Sequence, residues 1–207
     1  SPDRAQLLIN GTGLIDASSR GWIDSTGVNS GGGASGNYIA GICGSSILIC
    51  GGNDHHNYFD FDVRYYESDL INSAVLKLYQ PGPADGAYGF QSQYPSLLYS
   101  LFDVSADPST ASGPASYADL GSGLSYGSIS VDASTNGNWV SITLNQNGLD
   151  AMTAATYRGG HFYLGGAISA PPVAAVPEPE SYPLTLLGLL AMGFVAKRRP
   201  RSTTRAY

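Results

Sequence analysis

Between positions 21 and 168 the chain is a series of short strings rich in Val, Ile, Leu, Tyr and Phe, broken by Gly, Pro, Ser or Asn roughly every 8–15 residues. The 27 glycines and 12 prolines are spread through the chain, so an apolar string is cut before it could run as a long helix. Strings of strand length bounded by turn chemistry specify an all-β sandwich or barrel. Eight strings qualify as strands: Gly21–Thr26, Ser46–Cys50, Asn57–Val63, Ile71–Gln80, Ser96–Val104, Gly127–Ala133, Asn138–Leu144 and His161–Ile168.

Alternation inside these strings assigns their faces. In the fourth to ninth residues of INSAVLKLYQ, Ala74, Leu76 and Leu78 share one side and Val75, Lys77 and Tyr79 the other. Phe59, Phe61 and Val63 face opposite to Asp60 and Asp62, and Val140, Ile142 and Leu144 face opposite to Trp139, Ser141 and Thr143. One dry face and one wet face is the antiparallel pattern. One short helix is expected in NQNGLDAMTAATYRGG. Asn145 or Asn147 would cap it, Leu149, Met152 and Tyr157 would form its apolar stripe, and Gly159 would stand just past its end. Residues 28–37 and 105–125 read as loops, and 169–180 (SAPPVAAVPEPE) as an extended Pro-rich linker.

Charge separates the chain into two parts. Residues 1–180 hold 5 basic and 16 acidic side chains, a net of −11, while five of the ten basic residues crowd into the last eleven positions. An acidic body repels phosphate backbones, so no nucleic-acid partner is expected. Neither a GxSxG nor an HExxH string occurs, and the protein is expected not to be an enzyme.

Three sets of residues in the body carry candidate chemistry. Cys43 and Cys50, in CGSSILIC, have the spacing of a disulfide across a hairpin in an oxidising compartment. The stretch GGNDHHNYFDFD offers Asp54, Asp60 and Asp62 as oxygen ligands, which would suit a structural calcium ion. The bland alternative, a polar loop leading into the solvent face of a strand, is the one expected, because adjacent His55 and His56 point to opposite faces; no cofactor is expected. Fourteen tyrosines, with Trp22 and Trp139, offer flat apolar faces with polar edges that suit sugar rings as well as they suit core packing.

The C-terminal part is an uncharged, mostly apolar run of 14 residues, Pro183–Ala196, followed by Lys197, Arg198 and Arg199. A helix of about 20 residues spans a bilayer, and basic side chains extend a shorter one by reaching to the interface. Residues 181–207 are therefore expected to form a transmembrane helix with its basic flank in the cytoplasm and residues 1–180 outside. That topology needs an export signal, and none is read near Ser1, so a leader is expected to have been removed or omitted.

The string VPEPESYPLTLLGLLAMGFVAKRR, residues 176–199, resembles the PEP-CTERM sorting signal: Val-Pro-Glu-Pro, an apolar segment, then a basic cluster. The resemblance implies recognition by an exosortase, a membrane protease, at Pro177, Glu178 and Pro179, with Lys197, Arg198 and Arg199 as the positive stop. It implies export across the inner membrane, transient anchoring there, and then the cell surface or extracellular matrix. Residues 57–81 are similar to DNRLRE-type surface domains, which carry an aromatic-Phe-Asp strand followed by Ile-x-Ser-Ala-x-Leu-x-Leu, here Tyr58–Asp62 and Ile71–Leu78. That similarity implies a jelly-roll-like antiparallel sandwich akin to carbohydrate-binding modules. The expected organisation is thus a β-sandwich with one short helix over 1–168, a linker over 169–180 and a sorting tail with a hydrophobic helix over 181–207. A non-enzymatic exported surface protein is the leading expectation, and a module that binds exopolysaccharide the alternative.

Overall fold

The computed structural model describes residues 4–42, 52–87 and 89–169. Among the described residues nine strands form two antiparallel sheets packed face to face. The strands are β1 (Ala5–Ile9), β2 (Gly13–Asp16), β3 (Ser19–Asp24), β4 (His55–Asp62), β5 (Ala74–Gln80), β6 (Ser96–Phe102), β7 (Ser125–Asp132), β8 (Asn138–Thr143) and β9 (His161–Ser169). The four-stranded sheet runs β2-β1-β5-β8 and the five-stranded sheet β3-β4-β9-β6-β7. The chain changes sheet at β2–β3, β4–β5, β5–β6, β7–β8 and β8–β9, and this repeated crossing gives the jelly-roll-like sandwich.

The period-2 pattern decides what lies between the sheets. Leu7, Ile9, Ala74, Leu76 and Ile142 of the four-stranded sheet meet Phe59, Phe61, Leu101, Phe162 and Leu164 of the five-stranded sheet, all nearly inaccessible to water. Each such large side chain contributes roughly 1.5–3 kcal/mol by leaving water. The faces expected for Ala74, Leu76 and Leu78, and for Val140, Ile142 and Leu144, are those observed. The helix α2 (Gln146–Tyr157) begins at Asn145, one of the two caps expected, whose side-chain oxygen accepts from the Gly148 amide at 3.2 Å. Leu149 and Met152 are buried beneath it, but Tyr157 is 64% exposed and Thr156 takes the buried place. The stripe turns away from Tyr157 because a helix advances 100° per residue and position 156, four on from 152, stays over the core.

Two strands and one helix escape the sequence pattern. β1 and β2 are short and joined by Asn10–Thr12, with Asn10 itself at φ +50°. The segment expected as a loop over 105–125 contains the helix α1 (Pro114–Leu120), so the body has two helices rather than one. With its flanking loops α1 covers the outer face of the five-stranded sheet, where Leu120 packs on Ile23 and Tyr58, with Val104, Ala111 and Tyr117 around them. That cover corrects the reading of β4. Asp60 does not lie on a wet face; it is 7% exposed, because β4 is a central strand covered on both sides. The four-stranded sheet has no such cover among the described residues: Leu14, Trp139, Ser141 and Thr143 on its outer face are exposed.

Two adjacent glycines in the middle of β9 make this asymmetry possible. A Cβ on Gly165 would stand 2.4 Å from the Leu120 carbonyl oxygen, so the glycine lets the end of α1 rest on the sheet. A Cβ on Gly166, on the inner face, would stand 2.1 Å from Tyr99 Oη and 2.2 Å from Asn57 Oδ1. The space left there holds a buried hydrogen bond, Tyr99 Oη donating to Asn57 Oδ1 at 2.8 Å.

Candidate functional site

The aspartates and histidines of residues 54–62 are dispersed by the fold. His55 turns inward and its ring meets Trp22 edge-on at 4.6 Å. His56 turns outward, stacks on Tyr117 at 3.9 Å, and its Nδ1–H donates to the Tyr117 carbonyl at 2.8 Å. Burial pushes the His56 pKa below its ordinary value, against the opposing pull of the Tyr117 carbonyl and Asp54. The opposite faces expected for the two histidines are thus observed, and each ring is committed to packing.

Asp60 accepts from Ser18 Oγ at 3.0 Å and lies 3.0 Å from His161 Nδ1. Serine and histidine both bond to the carboxylate rather than to each other, so this is not a nucleophile–base–orienter chain; it ties the β2–β3 corner and β9 to the central strand. Asp62 pairs with Arg64, whose hydrogen bonds hold its carboxyl down to about 2. Among the described residues no three His, Cys, Asp or Glu side chains converge as a metal-ligating group, so Asp54, Asp60 and Asp62 are not brought together. The Cys43–Cys50 pair lies outside the described residues.

Two clefts border the helices. The one beside α1 is about 200 Å³ and lined by Ile23, Pro108, Ala111 and Leu120, below the roughly 300–1,000 Å³ of small-molecule sites. The one between α2 and residues 70–72 is about 510 Å³, walled by Leu70 and Tyr157 with Gln146 and Asp150 at its polar side. Gln146 donates to Asp150 at 2.7 Å, so its two principal polar groups satisfy one another.

The outer face of the four-stranded sheet is different in kind. Pairing aligns Asp16, Gln6, Lys77 and Ser141 in one row across all four strands. A parallel row sets Tyr79 beside Trp139, with Arg4 opposite Tyr79, whose amide donates to the Arg4 carbonyl at 2.8 Å. The Tyr79 and Trp139 rings meet edge-on at 5.6 Å, and Lys77 Nζ lies 5.4 Å from the indole centroid. Trp139 is 38% exposed. Of the two tryptophans considered from sequence, Trp139 therefore presents a surface, while Trp22 is half-buried against His55. Arg4 and Lys77 escaped notice as partners because alternation gives the face of a residue but not the strand beside it; the AVLKLY pattern was the available signal, and it needed the β5–β8 register.

Among the described residues no helix is long and apolar enough to cross a membrane; the hydrophobic helix expected within 181–207 lies outside them, as do Pro177, Glu178, Pro179, Lys197, Arg198 and Arg199. Comparison with curated proteins and with solved structures returns no match. Comparison with protein families matches residues 175–199 to the PEP-CTERM protein-sorting motif, a span that includes all six of those residues. The chain carries a sorting signal of the kind recognised by exosortase, which marks a protein for the cell envelope or surface.

Proposed function

We propose that this is a non-enzymatic, exported surface or matrix protein whose β-sandwich is delivered by its C-terminal signal. Exosortase processes it at Pro177-Glu178-Pro179. Pro183–Ala196 hold it briefly in the inner membrane, and Lys197, Arg198 and Arg199 keep the far end cytoplasmic. The motif match over 175–199 carries this reading. The chemistry agrees: prolines resist helix formation, and a protease takes its substrate extended. Replacing Pro177, Glu178 and Pro179 together by alanine, in a host with the exosortase, should leave uncut chain in the membrane fraction on a blot; unchanged processing would refute the assignment.

A second reading concerns what the delivered body does. The exposed Trp139 beside Tyr79, on the open sheet face, favours binding to a polysaccharide. A glycan array probed with the full chain tests it, with the signal expected to vanish in Trp139→Ala.

A further inference from the structure

The open sheet face gathers cations that are scarce in the protein around it. Residues 1–180 carry only five basic side chains. Arg20 is buried and its guanidinium donates to the Gly36 carbonyl, and Arg64 is paired with Asp62. Two of the remaining three, Arg4 and Lys77, flank Tyr79 on the same face as Trp139. Two carboxylates border the face, Asp16 accepting from Gln6 Nε2 at 2.9 Å and Asp85 from Tyr79 Oη at 3.0 Å, and among the described residues neither forms an ion pair with Lys77 or Arg4, which stay available to an anion.

We infer that this face, built on Trp139, Tyr79, Lys77 and Arg4, binds an acidic polysaccharide of uronic-acid type. The inference rests on the polysaccharide reading above and adds the charge of the ligand. A uronate ring has an apolar C–H face and a carboxylate at its rim. The indole takes the first, and the ammonium lying 5.4 Å from its centroid meets the second. Gln6 and Ser141, in the Lys77 row, supply amide and hydroxyl groups for the ring hydroxyls. The face is flat and crosses four strands, which suits an extended chain rather than a small enclosed ligand. A phosphate polymer fits less well, since two cations on a body of net charge −11 give little attraction to a backbone charged at every residue. The cleft beside α2 has Asp150 in its wall and no basic side chain in its lining to offset it.

The test is affinity electrophoresis of the full chain, in a detergent without a sugar headgroup, through gels holding polygalacturonate, neutral dextran or no polymer. Polygalacturonate should retard the protein at least about tenfold more strongly than dextran. Raising salt from about 0.1 M to about 1 M shrinks the screening length from about 10 Å to about 3 Å and should remove most of that preference. Trp139→Ala should cost about tenfold or more in affinity. Lys77→Gln, a change on an exposed face that leaves the core intact, should abolish the preference for the acidic polymer, and Tyr157→Ala in the α2 cleft should change nothing. Equal, Trp139-dependent retardation by both polymers would overturn the acidic assignment and leave the polysaccharide reading standing. No retardation by either would overturn both. Retardation untouched by Trp139→Ala and Lys77→Gln would overturn the site.

Discussion

Replacing Gly166 by alanine should be among the most damaging one-carbon changes in the body. The added Cβ would stand 2.1 Å from Tyr99 Oη and 2.2 Å from Asn57 Oδ1. Neither neighbour retreats easily: Asn57 and Tyr99 belong to β4 and β6, the two strands hydrogen-bonded to β9 on either side of Gly166. Overpacking a close-packed interior costs about 1–3 kcal/mol, and forcing apart a buried hydrogen bond adds about 1–3 kcal/mol. The sum is roughly 2–6 kcal/mol, or a fall in Tm of roughly 4–24 °C for a chain of this size. Equilibrium urea denaturation followed by tryptophan fluorescence reads the loss directly. A cycle with Tyr99→Phe identifies its source. That change alone should cost about 1–2 kcal/mol, by depriving Asn57 Oδ1 of its donor. In its background Gly166→Ala has no hydrogen bond left to break and one clash fewer, so its penalty should shrink by about 1–2 kcal/mol. Penalties additive within about 0.5 kcal/mol would refute the coupling, and a stable Gly166→Ala variant would refute the packing.

Two further outcomes follow from local geometry. His56 is half-buried against Tyr117 with its pKa lowered, so the folded state binds its proton less readily than the unfolded chain. The stability it contributes is complete above the unfolded value of 6.5 and drains as pH falls below it towards the folded value. The urea midpoint should therefore drop between about pH 7.5 and about pH 5 by more in the parent than in His56→Gln; an equal drop would remove His56 from the account. Asn145→Ala removes the cap of α2 and its bond from Nδ2 to the Ser125 carbonyl at 2.8 Å. It should cost about 0.5–2 kcal/mol in the same titration, and a change near zero would show the helix start held by packing alone.

The parts of the fold legible in the sequence were those with a strong local period. In AVLKLY and WVSITL one face is buried and the other wet, so alternation alone assigned Leu76, Leu78, Val140 and Ile142 to the interior. The start of α2 was legible only as Asn145 or Asn147, since either side-chain oxygen could accept from an amide two or three residues on, and the fold selects Asn145. Alternation misled at Asp60, because a polar residue on an outer face looks wet whether or not a distant segment covers it. Here Ser18 and His161 close on the Asp60 carboxylate, and α1, more than fifty residues away, covers Tyr58 on the same face, helped by Gly165, whose missing side chain makes room for Leu120. β1 and β2 were missed because five and four residues give too short a period to stand out. The candidate surface was half legible: Trp139 was named from its chemistry, but Lys77 and Arg4 joined it only through register. The sorting motif was legible throughout, since it is read by residue order and not by tertiary contacts.

Residues 175–199 match a sorting motif of the kind recognised by exosortase, and the proposal to be tested is that the enzyme cuts the chain there and frees the sandwich from the membrane. Intact-mass spectrometry of the protein recovered outside the cells of an exosortase-bearing host addresses it directly. The account predicts a chain ending close to Pro177–Pro179, without the apolar run and the arginines. Extracellular protein that still carries residues 183–199 would contradict it.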